Sequence, residues 1–215
     1  MTGFNKSKLG SAAWICLFLF LPFFLTEAAL GIEQPKFSVV KTDGDFELRQ
    51  MESFAVAETE VRATFKEAGN SAFRKLFRYI QGQNQGQKKI PMTAPVGQQS
   101  QGSPEKISMT APVTQVLSEN GYIVSFTLPS IYTAETAPQP NDETVVLRQV
   151  PSRKVAVITY SGSWSESRYE EKKSALIQWI AAQGLTSKNE PILARYNAPF
   201  TLWFLRHNEV QIEVD

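Results

Sequence analysis

Leu48-Arg49-Gln50, followed by Ala55-Val56-Ala57, returns 99 positions later as Leu147-Arg148-Gln149, followed by Val155-Ala156-Val157. The second triplet aligns once a single residue is inserted between the patches. Each copy reads as paired strands. Phe46-Glu47-Leu48-Arg49-Gln50 alternates apolar and polar residues, as a half-buried strand should, and residues 54–61 resume after the corner Met51-Glu52-Ser53. An amphipathic helix follows each pair. The first is most secure over 70–81, where Phe73, Phe77 and Ile80 recur at i, i+4 and i+7, widened by Leu76 and Phe65. The second runs over 165–183, with Tyr169, Leu176, Trp179 and Ile180 on its apolar side. Ser167 with Glu170 fits a capping box, and Gly82 and Gly184 fit the glycines that end helices.

More strand material closes each copy: Tyr122-Ile123-Val124-Ser125-Phe126-Thr127-Leu128, stopped by Pro129, and residues 203–214. Residues 131–142, with two prolines, read as the link between halves, and 35–44 as an entry strand. The order β-β-α-β-β, run twice, predicts an α+β fold. Its halves form two antiparallel four-stranded sheets in a distorted barrel, flanked by two helices and related by a pseudo-two-fold axis. Neither half is long enough to bury its sheet well alone, so 32–215 is expected to be one domain.

A second repetition sits inside the first copy. Lys89-Ile90-Pro91-Met92-Thr93-Ala94-Pro95-Val96 recurs as Lys106-Ile107-Ser108-Met109-Thr110-Ala111-Pro112-Val113, across a Gly-, Ser- and Gln-rich insert. The two apolar segments read as strands leading into and out of a hairpin-like excursion. Pro95 and Pro112 lack an N–H and belong at strand ends rather than in a central ladder. Asn197-Ala198-Pro199-Phe200 answers Thr93-Ala94-Pro95-Val96, so the Ala-Pro reads as an architectural turn used in both halves. Met92 and Met109 are candidate pocket-rim residues, each offering a thioether, or flexible core fillers.

The N-terminus is a targeting segment. Lys6 and Lys8 precede an apolar run over 12–25, and small residues follow over 26–31, so residues 1–31 read as a signal peptide. An uncleaved anchor is the alternative, although the run is shorter than the roughly 20 residues of a spanning helix. The expectation is export, to the periplasm of a bacterium. Cys16 is the only cysteine and leaves with that segment, which removes disulfides, a cysteine nucleophile and thiolate metal sites. A net charge of +1 carries no nucleic-acid footprint. With His207 as the only histidine, a multi-histidine metal centre is excluded by composition.

Catalytic signals are sparse. His207 lies in the charged run Leu205-Arg206-His207-Asn208-Glu209 and reads either as a ligand or base or, by its polar setting, as a satisfied surface histidine. Binding has a better case. Phe73, Phe77 and Ile80 form an apolar stripe, and Arg74, Arg78, Arg195 and Arg206 offer cations for its rim. Such a slot suits a flat apolar ligand carrying carboxylates. By periodicity alone the stripe also reads as a helix face buried on its sheet.

The paired Met-Thr-Ala-Pro-Val, Phe73-Arg-Lys-Leu-Phe-Arg-Tyr-Ile-x-Gly82, Phe126-Thr-Leu-Pro-Ser130, Tyr196-Asn-Ala-Pro-Phe200 and Arg206-His-Asn-Glu-Val210 resemble, in order, the SOUL haem-binding family, in its exported bacterial branch. The resemblance implies the same duplicated barrel and a shallow apolar pocket beside the first helix that holds haem or another tetrapyrrole without a covalent bond. Carried over by position, Asn70, Phe73 and Phe77 lie on the helix face the family uses, while Ile80 follows from periodicity. The family usually has Arg where His207 stands, so a histidine iron ligand is not expected. The expected role is a carrier or buffer rather than an enzyme, with oligomeric state open. The alternatives are an enzyme that removes iron or opens the ring, using Arg206, His207 and Glu209, or a partner-binding scaffold with a vestigial pocket.

Overall fold

The computed structural model describes residues 32–86 and 104–215. Residues 1–31, the first copy of the doubled phrase and Met92 lie outside the described residues. In chain order the elements are β1 (Phe37–Asp43), β2 (Phe46–Met51), β3 (Phe54–Val61), α1 (Phe65–Ile80), β4 (Asn84–Gln85), β5 (Val113–Ser118) and β6 (Gly121–Thr127). Then follow β7 (Gln139–Pro140), β8 (Val146–Val150), β9 (Arg153–Tyr160), α2 (Glu166–Ala182), β10 (Ile192–Arg195), a 3-10 turn (Trp203–Leu205) and β11 (Asn208–Glu213).

Nine strands form one curled antiparallel sheet in the order β1-β2-β9-β11-β10-β5-β6-β3-β8. The two four-stranded sheets expected from the duplication are both there, as β2-β9-β11-β10 and β5-β6-β3-β8, joined edge to edge by β10 and β5. Exchanging the halves maps β2, β3, β5 and β6 onto β8, β9, β10 and β11, and turns this eight-strand order into its own reverse. Each half lends its first strand to the other: β2 pairs with β9, and β8 with β3. β4 and β7 form a separate two-stranded patch.

The register corrects one detail of the duplication. Leu48 stands opposite Ala156, and Leu147 opposite Ala57. Both correspondences keep the offset of 99, so no residue is inserted. An insertion would move every following side chain to the other face of the sheet. Ala57 and Ala156 instead occupy matching places in the cores beneath α1 and α2.

Both helices cover the same side of the sheet, α1 on β3 and β6, α2 on β9 and β11. Under α1, Ala68, Ala72, Leu76, Tyr79 and Ile80 meet Ala55, Ala57, Val124 and Phe126. Under α2, Leu176, Trp179 and Ile180 meet Ala156, Ile158, Val210 and Ile212. The capping residue of α2 is Ser165, which accepts a bond from the Arg168 N–H, rather than Ser167. Gly82 and Gly184 take the expected left-handed φ of 106° and 69° after their helices. Residues 203–214 are not one strand: the chain makes the 3-10 turn first, and β11 starts at Asn208.

The second copy of the doubled phrase is not a strand either. Residues 106–112 carry no regular structure and lead into β5, which begins at Val113 just after Pro112. Their polar groups are met by other parts of the chain. The Ile107 N–H reaches the Ile80 carbonyl at 2.8 Å, the Ala111 N–H reaches the Glu33 carbonyl at 2.9 Å, and the Thr110 hydroxyl donates to the Thr127 carbonyl. Buried Asn84 clamps the same region, donating to the carbonyls of Tyr79 and Glu105 and accepting from the Glu105 N–H.

On the side without helices, Glu209 of β11 is 1% exposed yet fully bonded. Arg49 of β2 reaches it at 3.0 Å, Tyr196 and Gln211 each donate to it at 2.7 Å, and His207 Nε2 lies 2.9 Å away. Burial pushes the Glu209 pKa up. The bond with His207, the Arg49 charge and the bonds from Tyr196 and Gln211 outweigh that and hold it down at about 2. A carboxylate so depressed stabilises the fold above its ordinary value of 4.5, and that contribution drains away as pH falls toward 2. Glu209→Ala should therefore cost about 3–5 kcal/mol near neutrality, because Arg49 is left buried without its long-range partner. Urea unfolding followed by Trp fluorescence at pH 7 and pH 3 checks this, with a smaller loss expected at pH 3.

Candidate functional site

Helix α1 has two apolar faces. One is the sheet-facing core already described. The other carries Asn70, Phe73 and Phe77, at i, i+3 and i+7, and looks outward. Phe73 is half-buried: its ring meets Phe126 edge-on at 5.2 Å and stacks on exposed Phe77 at 5.6 Å. Beside this face lies an open cleft of about 510 Å³, mouth included. Its walls are Gly69, Asn70 and Phe73 from α1, Val113 from β5, Arg195 from β10, Asn197 and Pro199 from the segment after β10, and Trp164 from the turn before α2.

Four bonds organise the far wall. Trp164 Nε1 donates to Asn208 Oδ1 at 2.7 Å, and the His207 N–H donates to Asn197 Oδ1 at 2.5 Å. Arg206 closes the connection between β10 and β11 by donating to the carbonyls of Thr201 and Pro199 at 2.9 and 3.0 Å. The guanidinium carbons of Arg206 and Arg195 lie 4.1 and 5.2 Å from the centre of the Trp164 ring. Two cations thus share one aromatic.

Arg195 is the unusual group. Its one recorded side-chain hydrogen bond is a long 3.4 Å contact from Nη2 to Gln115 Oε1, and its Nε is shut from solvent with no partner. Among the described residues no carboxylate pairs with it. Burial pushes its pKa down, Tyr160 opposes that, and Arg206 adds to the depression. Room for the guanidinium comes from Gly69, where a Cβ would stand 2.8 Å from Arg195 Nη1. A half-buried cation with no anion among the described residues, beside an exposed aromatic face, is a place for an anionic, apolar ligand.

A family profile described as SOUL heme-binding protein matches residues 32–213. The chain belongs to the SOUL haem-binding family. Heme-binding protein 2 of Mus musculus is 27% identical over 180 residues, spanning 79% of this chain and 82% of that protein. Among solved structures, the EcmrR C-terminal domain aligns over 79% of this chain and 96% of its own, at 12% identity and a TM-score of 0.57. A hydrolase from Listeria innocua aligns over 80% and 92%, at 12% identity and a TM-score of 0.51. At that identity the two structures share the fold with this SOUL protein and nothing finer.

Haem is a flat apolar macrocycle with two carboxylates, and the cleft's own donor set fits it: an aromatic helix face, and an arginine with an unmet N–H. None of the eight lining residues is His, Cys, Met or Tyr, the side chains that usually ligate haem iron. Asn70 and Phe73 line the cleft, and Phe77 extends its aromatic wall. Arg206 buttresses it through Trp164. Ile80 does not belong to the site: it is 2% exposed, in the core under α1, because its position falls on the sheet-facing stripe with Leu76 and Ala72. Met109 is exposed, away from the residues that line the cleft. Met92 lies outside the described residues. Arg206 is spent on loop carbonyls, and His207 on Glu209.

Trp164 escaped the sequence reading. Its only signal was a large aromatic in the otherwise polar turn Ser161-Gly162-Ser163-Trp164-Ser165. The Arg195 assignment carries a consequence for stability. Arg195→Met keeps the apolar stem and removes an under-bonded buried charge, so thermal unfolding should show a midpoint unchanged or raised, by an amount equivalent to about 1 kcal/mol at most. A clear loss of stability would mean that the guanidinium is structural.

Proposed function

We propose that the cleft beside α1 binds haem or a related tetrapyrrole reversibly, and that the protein serves as a carrier or buffer in the exported compartment its first 31 residues address. The observation that carries this reading is Arg195, a desolvated guanidinium with an unmet donor, set against the exposed Phe73–Phe77 face. Family membership and the likeness to a mouse heme-binding protein support the ligand class. Phe73 and Trp164 hold the macrocycle plane, and Arg195 takes a carboxylate. The macrocycle would supply the visible absorption of the complex, and iron, when present, its redox chemistry.

The connection after β10 supports the same assignment. Past Pro199 it exposes Phe200, Leu202, Trp203, Phe204 and Leu205, with Phe200 as much as 89% exposed. Side chains of this size left in water add apolar area next to the cleft that a flat ligand covers.

Hemin added to the purified protein should give a saturable shift of the Soret band at one equivalent, with quenching of Trp fluorescence. Phe73→Asp should weaken binding at least about tenfold, since it places a charge in an apolar contact that cannot pair it. Arg195→Met should weaken it similarly while the fold stays intact. A titration without saturation, or one unmoved by both substitutions, would sink the assignment.

A further inference from the structure

Among the described residues, none fills the face of the sheet turned away from both helices. Its strands curl around an open cavity of about 680 Å³, mouth included. Phe37, Met51, Phe54, Val116, Val150 and Ile192 make its walls mainly apolar. Three arginines also line it, Arg49, Arg148 and Arg153, and none of its lining residues is acidic.

The three arginines differ in what they already hold. Arg49 is bonded to Glu47 and Glu209. Arg148, its counterpart under the duplication, holds Glu58 with two bonds of 2.9 and 2.7 Å. Arg153 is poorly served. Its ion pair with Glu213 is long, at 3.4 Å, and the same Glu213 oxygen takes a 2.8 Å bond from Asn189. Its Nε is shut from solvent and has no hydrogen-bond partner. Met51 faces Arg153 across the β2–β9 ladder, and Ile192 faces Val116 across the β10–β5 ladder. A neutral apolar guest leaves the Arg153 donor unmet, and a cation meets three guanidiniums. An anion with an apolar body satisfies both the charge and the walls.

We propose that this cavity is a second ligand site, separate from the cleft at α1, which takes an amphipathic carboxylate of the fatty-acid type, its head on Arg153 and its chain along Phe54, Val116 and Ile192. The site draws on neither the residues nor the face of the sheet used for the tetrapyrrole.

The test uses the purified protein and cis-parinaric acid, whose fluorescence rises in an apolar, water-free setting. A saturable rise is expected, weakened about tenfold or more by Arg153→Met and abolished by Val116→Trp, which fills the cavity. Both variants should keep the hemin titration of the unsubstituted protein, so loss of this site and loss of the haem site are read apart. Should Arg153→Met fold poorly, Val116→Trp decides alone, through loss of the probe signal with the Soret shift intact. No saturable rise, or equal affinity for the methyl ester of the probe, overturns the proposal. So does loss of the signal in Phe73→Asp but not in Val116→Trp, which would put the probe in the cleft at α1.

Discussion

The pairing of Arg49 with Glu209 is the constraint on which the two halves depend. Arg49 lies on β2, from the first half, and Glu209 on β11, from the second, with β9 between them. A charge pair this deeply buried tolerates no slip: moving β2 by one residue would turn Arg49 into the core under α2 and leave Glu209 without its cation. Register, strand exchange and the closing of Tyr196, His207 and Gln211 around one carboxylate are therefore a single condition. The duplication repeats the arginine but not its partner: Arg148 holds Glu58 on the adjacent strand β3, and there the arginine side chain is 49% exposed. In water such a pair contributes about 0–1 kcal/mol. One copy of the arginine ties two halves together through a buried pair, while the other holds an exposed neighbour.

Duplication also produced two helices with different work. Both bury a stripe on the sheet. Beyond that stripe α2 turns charge to solvent, with Glu170, Glu171, Lys172 and Lys173 tied in local ion pairs. At the corresponding surface α1 presents Phe73 and Phe77. Nothing in a four-stranded sheet with one helix requires that second apolar face. Exposed aromatics cost solubility without adding to the core, so their presence on one copy alone is a feature to be explained by a ligand rather than by packing.

Much of this was legible in the residues, and what was not has physical causes. The two helices, the repeated strand pairs and the glycine helix ends follow from local pattern, and local pattern is what periodicity reads. Ile80 failed because α1 carries two stripes that overlap at its C-terminal end, where i+7 from Phe73 is also i+4 from Leu76. The inserted residue failed because matching Ala-Val-Ala to Val-Ala-Val scores composition, whereas the sheet scores which face each side chain takes. The doubled phrase looked like strand because it is apolar. Its second copy is held instead by bonds to Ile80, Glu33 and Thr127, distant partners that no local window contains. Trp164 belongs to the same class. It is placed by Asn208, 44 residues away, and by arginines from two other segments.

The chemistry of the cleft walls also bears on selectivity. A site that grips iron through a side chain distinguishes haem from its metal-free relatives by the strength of that bond. The walls described here offer shape, aromatic surface and a cation. On the proposed reading, recognition then rests on the macrocycle plane and its carboxylates, both of which an iron-free porphyrin shares. Such a site holds its ligand by area and one charged contact, and both are lost gradually as the ligand slides out. On that reading it would retain a tetrapyrrole without committing its iron. That matches a carrier, which must release what it binds, better than a catalyst, which must fix the reacting atom in place.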